Sequence, residues 1–141
     1  MLRTFVITFL GAAAASGAVL VARATPAESV FTTDQATAGR SAYAKHCASC
    51  HMPDLSGNTE VPPLAGAVFL DTWGARSTKD LFDYSAEAMP YGAPSLSKES
   101  YTAITAYILQ ANGGVAGPTA LTGSTAVPIS SVTAARKTVS P

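Results

Sequence analysis

The sequence predicts an all-α fold, a small bundle of three to four helices joined by long loops. Three observations carry this expectation. Capped segments with apolar residues at three- and four-residue steps end near residue 46, begin after Ser77 and begin again after Ser97. The ground between them is crowded with Pro and Gly, and no βαβ pattern is visible. With 141 residues, the chain has room for one domain and little more.

In chain order, the first segment reads as an export signal over residues 1–24. Arg3 and the amino terminus supply positive charge. An apolar run extends from Phe5 to Ala22, and Ala22-Arg23-Ala24 is a small-x-small cleavage site. The competing reading is an uncleaved membrane anchor, because about 18 fairly apolar residues almost span a bilayer. Cleavage would remove Arg3 and Arg23, leaving a mildly acidic chain with seven basic and nine acidic side chains. Residues 25–32 contain Pro26 and read as a flexible lead-in.

A folded domain is expected over 33–114. Thr33 is a candidate N-cap for a helix over 34–46, with Ala36, Gly39, Tyr43 and Ala44 near one face. Residues 51–76 are loop-rich, with room for one short helix near Val68–Thr72. Ser77 and Asp80 form a capping-box pattern before a helix over 78–87. Pro90 and Pro94 forbid its continuation. Ser97 then caps a helix from Lys98 to Ala111, with Tyr101, Ile104, Tyr107 and Ile108 on one face, and Asn112-Gly113-Gly114 stops it. Residues 115–141 are rich in Gly, Pro, Ser, Thr and Ala without a period. They read as a low-complexity tail, or as a segment lying across the domain or a partner.

Composition excludes some functions. Only 13% of residues are charged and the formal net charge is zero. No basic run exists to neutralise nucleic-acid phosphates, so no nucleic-acid partner is expected. A domain of this size with such loops would have a thin core unless something else filled it.

Cys47-Ala48-Ser49-Cys50-His51 is C-x-x-C-H, the attachment motif of a c-type haem. Two thiols two residues apart on one turn can reach the two vinyl groups of the ring. The next residue then places an imidazole beneath the iron as the proximal ligand. Two other readings compete. A redox-active C-x-x-C sits after a strand and at a helix start, whereas this one follows a helix. A zinc site needs four ligands, and His46 adjoins Cys47 too closely to be a good fourth. One covalent haem would also fill the thin core.

A carrier haem needs a sixth ligand. Met1 leaves with the signal, and Met52 adjoins His51 on the wrong side of the ring. Met89, stiffened by Pro90, lies in a loop that can cross the far face. The alternative is an open sixth site for small-ligand binding or peroxidatic chemistry. A His/Met pair and apolar surroundings both raise the potential. Candidate walls are Leu64, Val68, Phe69, Trp73, Leu81, Phe82, Tyr101 and Ile108. The backbone carbonyl of Pro62 is the candidate acceptor for the second ring nitrogen of His51.

On these residues the chain resembles the class I mono-haem cytochromes c over about 33–113. The matching parts are Gly39 and Tyr43, then Cys47, Cys50 and His51, then Pro62, Leu64 and Gly66, then Met89, then Tyr107. The resemblance implies that the first and last helices cross near the Gly and the aromatic. It also implies that the Pro62 carbonyl accepts from His51 and that Met89 is the distal ligand. Met52 and Val61 depart from it, standing where the family often has Gly. Three stretches, Trp73–Ser77, Asp80–Tyr84 and Met89–Pro94, are similar to the cytochrome c domains of quinoprotein alcohol dehydrogenases.

The resulting expectation is an exported, periplasmic single-electron carrier with one covalent haem c. It is not an enzyme. Its partners are a redox donor and acceptor, with a quinoprotein dehydrogenase or a respiratory chain as candidates. Contact with a membrane is expected only if the N-terminal segment stays attached, in which case the domain faces the periplasm.

Overall fold

A computed structural model describes residues 28–133. The export signal therefore lies outside the described residues, as do Arg136 and Lys137. Six helices and no strand occur among the described residues, so the all-α fold class holds. They are α1 Thr33–His46, α2 Ala48–His51, α3 Ala67–Trp73, α4 Thr78–Ala88, α5 Lys98–Ala111 and α6 Ile129–Val132. Two of these, α2 and α6, are single turns of four residues.

Local chemistry explains the longer helices. Thr32 rather than Thr33 caps α1; its side chain accepts from the Gln35 amide, and Gln35 reaches back to the Thr32 amide. Ser77 and Asp80 make the same reciprocal pair at the start of α4. Ser97 accepts from the Ser100 amide at the start of α5.

The frame is the crossing of α1 and α5. A Cβ on Gly39 would stand 1.8 Å from the Ala103 carbonyl oxygen, so only glycine lets the two backbones come this close. One helical turn on, the rings of Tyr43 and Tyr107 meet with centroids 5.3 Å apart. Around this crossing Ala36, Phe69, Leu81, Ile104, Ala106, Ile108 and Leu109 form the core.

Two stretches outside the expected domain belong to the same core. Val30 and Phe31, in the expected flexible lead-in, are both buried, Phe31 completely. Residues 115–133 are a strap lying across the domain, the second of the two readings the sequence allows. Leu121, Ile129 and Val132 are buried in the same cluster. Backbone bonds join Gly117 to Phe31, Glu28 to Ser131, Thr78 to Val127, Ile129 to Arg76 and Ser130 to Gly74. Gln35 both donates to and accepts from the backbone of Leu121 at 2.8 Å. The physical reason is close approach. A Cβ on Gly123 would meet the Phe82 ring at 2.8 Å, so this glycine lets the strap lie flat on α4. The unit thus extends beyond 33–114 at both ends.

Candidate haem-attachment site

The site begins at the C-terminal end of α1. The helix delivers Cys47, whose amide still bonds the Tyr43 carbonyl, and the single turn α2 carries Cys50 and His51. Both cysteines are free thiols, Cys47 half-buried and Cys50 exposed. Burial pushes the Cys47 thiol up, and the neighbouring Cys50 adds to the effect. A redox-active C-x-x-C has a thiol lowered toward the thiolate, so this environment opposes that chemistry. Among the described residues no three His, Cys, Asp or Glu side chains come together as a metal-binding group, which leaves the zinc reading without support.

His51 is buried, and its Nδ1 lies 3.0 Å from the Pro62 carbonyl oxygen. A carbonyl can only accept, so Nδ1 carries the hydrogen and Nε2 keeps its lone pair for a metal.

The loop that presents Pro62 is braced from several sides. Gly57 donates to the His51 carbonyl, and Leu64 donates to the Leu55 carbonyl. Asn58 accepts from the amides of Glu60 and Val61 and donates to the Cys50 carbonyl. Tyr43 donates to the carbonyls of His51 and Met52, at 3.2 and 2.7 Å. Its phenol is raised far above the usual range, first by burial and then by the nearby Cys47, so it stays a donor.

Asn112, buried at the end of α5, accepts from the Gly66 amide and donates to the carbonyls of Leu64 and Ile108. In the sequence it reads only as a helix stop. Here it fixes α5 to the loop that carries Pro62 and Leu64. A polar residue at a helix end gives no sign of a partner 46 residues away.

Met52 has φ 65° and ψ 150°, a region essentially reserved for glycine. This explains why the resembled family often has Gly there.

Met89 is carried on a different element, as the half-buried C-cap of α4. Its amide bonds the Ser85 carbonyl, and its own carbonyl accepts from the Tyr101 hydroxyl at 2.6 Å. Of the expected walls, Phe69, Leu81, Phe82, Tyr101 and Ile108 are buried, Leu64 and Trp73 are half-buried, and Val68 is 60% exposed. The donor set therefore fits a c-type haem: two unpaired thiols one turn apart, then an imidazole with one nitrogen fixed and the other free.

No curated protein matches the chain. Among solved structures it is similar to the sulfane dehydrogenase SoxCD from Paracoccus pantotrophus. Identity there is 23%, over 89% of this chain and 72% of that chain, with a TM-score of 0.48. The family described as cytochrome C oxidase, cbb3-type, subunit III matches residues 34–108, just over half of the chain. That span contains α1 but for its first residue, the C-x-x-C-H turn, Met89 and most of α5, and the chain belongs to this cytochrome c family.

Proposed function

We propose that this chain is an exported single-electron carrier with one covalent haem c. Membership of a cytochrome c family implies haem-based electron transfer and a covalently held haem. Cys47 and Cys50 are the thioether anchors, His51 is the proximal ligand and Met89 the distal one. The observation that carries the reading is the His51–Pro62 contact at 3.0 Å beside two free thiols. It orients the imidazole, fixes its tautomer and leaves Nε2 for iron.

When bound, the haem supplies a reversible one-electron iron couple. The protein does the rest. Pro62 raises the basicity of His51 through the Nδ1–H bond. The Asn112 and Tyr43 networks hold that geometry in both redox states, so little reorganisation accompanies transfer. Phe69, Leu81, Phe82 and Ile108 exclude water, which disfavours the extra charge of the oxidised iron and raises the potential. The working compartment is the periplasm, which the signal pattern of residues 1–24 supports. The likeness of Trp73–Ser77, Asp80–Tyr84 and Met89–Pro94 to quinoprotein-linked domains supports a quinoprotein dehydrogenase as donor.

The test is the visible spectrum of the reduced, haem-loaded protein with and without carbon monoxide. An unchanged spectrum is expected, because iron held on both faces leaves no free position. Complete conversion to a carbon-monoxide form would sink the carrier and direct attention to peroxide or gas chemistry.

A further inference from the structure

The segment from Met89 to Leu96 leaves α4 and returns to the cap of α5. Residues 91–95 are all exposed, Tyr91 at 93%. Internally it has one backbone bond, from the Ala93 amide to the Pro90 carbonyl. A loop so weakly tied cannot by itself hold a side chain in one place.

Its two ends converge on one atom. The hydroxyl of Tyr101, a side chain only 4% exposed, donates to the Met89 carbonyl at 2.6 Å and accepts from the Leu96 amide at 3.3 Å. No other side chain among the described residues hydrogen-bonds to residues 89–96. Tyr101 itself stands on the first turn of α5, the helix locked against α1 at Gly39. Ile104 and Ile108, on the same face, fill core without any polar tip. Phenylalanine would fill that space as well as tyrosine does, so packing does not require the hydroxyl.

We propose that Tyr101 is the positioning residue for the distal ligand: its hydroxyl clips the mouth of the 89–96 loop to α5 and so keeps the Met89 sulfur on the iron. This rests on the reading of Met89 as the sixth ligand. Were Met89 to leave a bound iron, its backbone would have to give, and the Tyr101 clip would oppose that movement. Without the hydroxyl, both loop ends lose their tie, and the population with an open sixth position grows.

The experiment measures carbon-monoxide affinity of the reduced, haem-loaded protein in wild type, Tyr101→Phe, Met89→Ala and the double variant. The thioether-to-iron charge-transfer band of the oxidised form is recorded alongside. Tyr101→Phe is expected to bind carbon monoxide about tenfold more tightly than wild type, the effect of losing two ordinary hydrogen bonds. Its charge-transfer band should weaken. The double variant should match Met89→Ala, since a clip that acts through Met89 has nothing left to hold. If Met89→Ala raises affinity but Tyr101→Phe behaves as wild type, the clip is overturned and Met89 ligation stands. If Tyr101→Phe adds its full effect on top of Met89→Ala, the hydroxyl acts by another route and the clip is again overturned. If Met89→Ala itself changes nothing, the distal ligand is misassigned and the clip falls with it.

Discussion

Met52 shows how one residue can carry a constraint set by its neighbours. It follows His51 directly, and the chain must turn sharply there to bring Leu55, Gly57 and then Pro62 back beneath the imidazole. The turn places Met52 at φ 65°, ψ 150°, at a cost of about 1–3 kcal/mol for a residue with a side chain. Glycine avoids that cost but loses about 0.5–1 kcal/mol of backbone entropy. Met52→Gly is therefore expected to stabilise the haem-loaded protein by about 1 kcal/mol. Chemical denaturation checks this. A lower midpoint would show that the half-buried Met52 side chain contributes more by packing than it costs in strain.

The candidate ligands are legible at this scale because their signals are local. C-x-x-C-H groups Cys47, Cys50 and His51 within five residues, and Met89 is the methionine proposed for the far side. The hydrogen-bond partners of Tyr101 and Asn112 are not readable. A tyrosine on an apolar helix face reads as core, and nothing in the sequence says where its hydroxyl points.

At the scale of elements, the helices follow from their caps. Ser77 and Asp80 exchange hydrogen bonds at the start of α4, and those bonds hold the Asp80 carboxyl below its usual range. A lowered folded-state pKa means the charged carboxylate stabilises the helix at neutral pH. That contribution is complete above the unfolded value and is lost as pH falls through the folded one. Asp80→Asn should thus be less stable than wild type at neutral pH. The two should converge in acid, below the ordinary carboxylate range. Thermal melts across pH test it, and a gap independent of pH would mean that the cap works through hydrogen bonding alone. The same box was visible in the sequence, as was the Ser97 cap. At α1 the cap falls one residue early, because Thr32 and Thr33 are both competent and Gln35 selects the former.

For the whole molecule, the strap is the part whose place the sequence leaves open between two readings. Gly, Ser, Thr and Pro suggest a chain without a core, and Leu121, Val127, Ile129 and Val132 are too irregularly spaced to signal a face. Their partners, Phe31, Gln35, Thr78 and Phe82, lie far back in the sequence, and much of the union is made by backbone groups that carry no residue code. Ile129 is fully buried, so Ile129→Ala is expected to cost about 2–5 kcal/mol. The visible spectrum should stay as it is, since none of the strap bonds touch the loops of Pro62 or Met89. A destabilisation below about 0.5 kcal/mol, the range of ordinary surface changes, would mean the strap is not part of the cooperative unit.

The bond between Glu28 and Ser131 brings the two limits of the described chain to one pole. From Thr33, α1 carries the backbone about 20 Å along its axis before the first thiol. The Glu28–Ser131 contact therefore closes the fold near the start of α1, while the thiols stand at the far end of that helix.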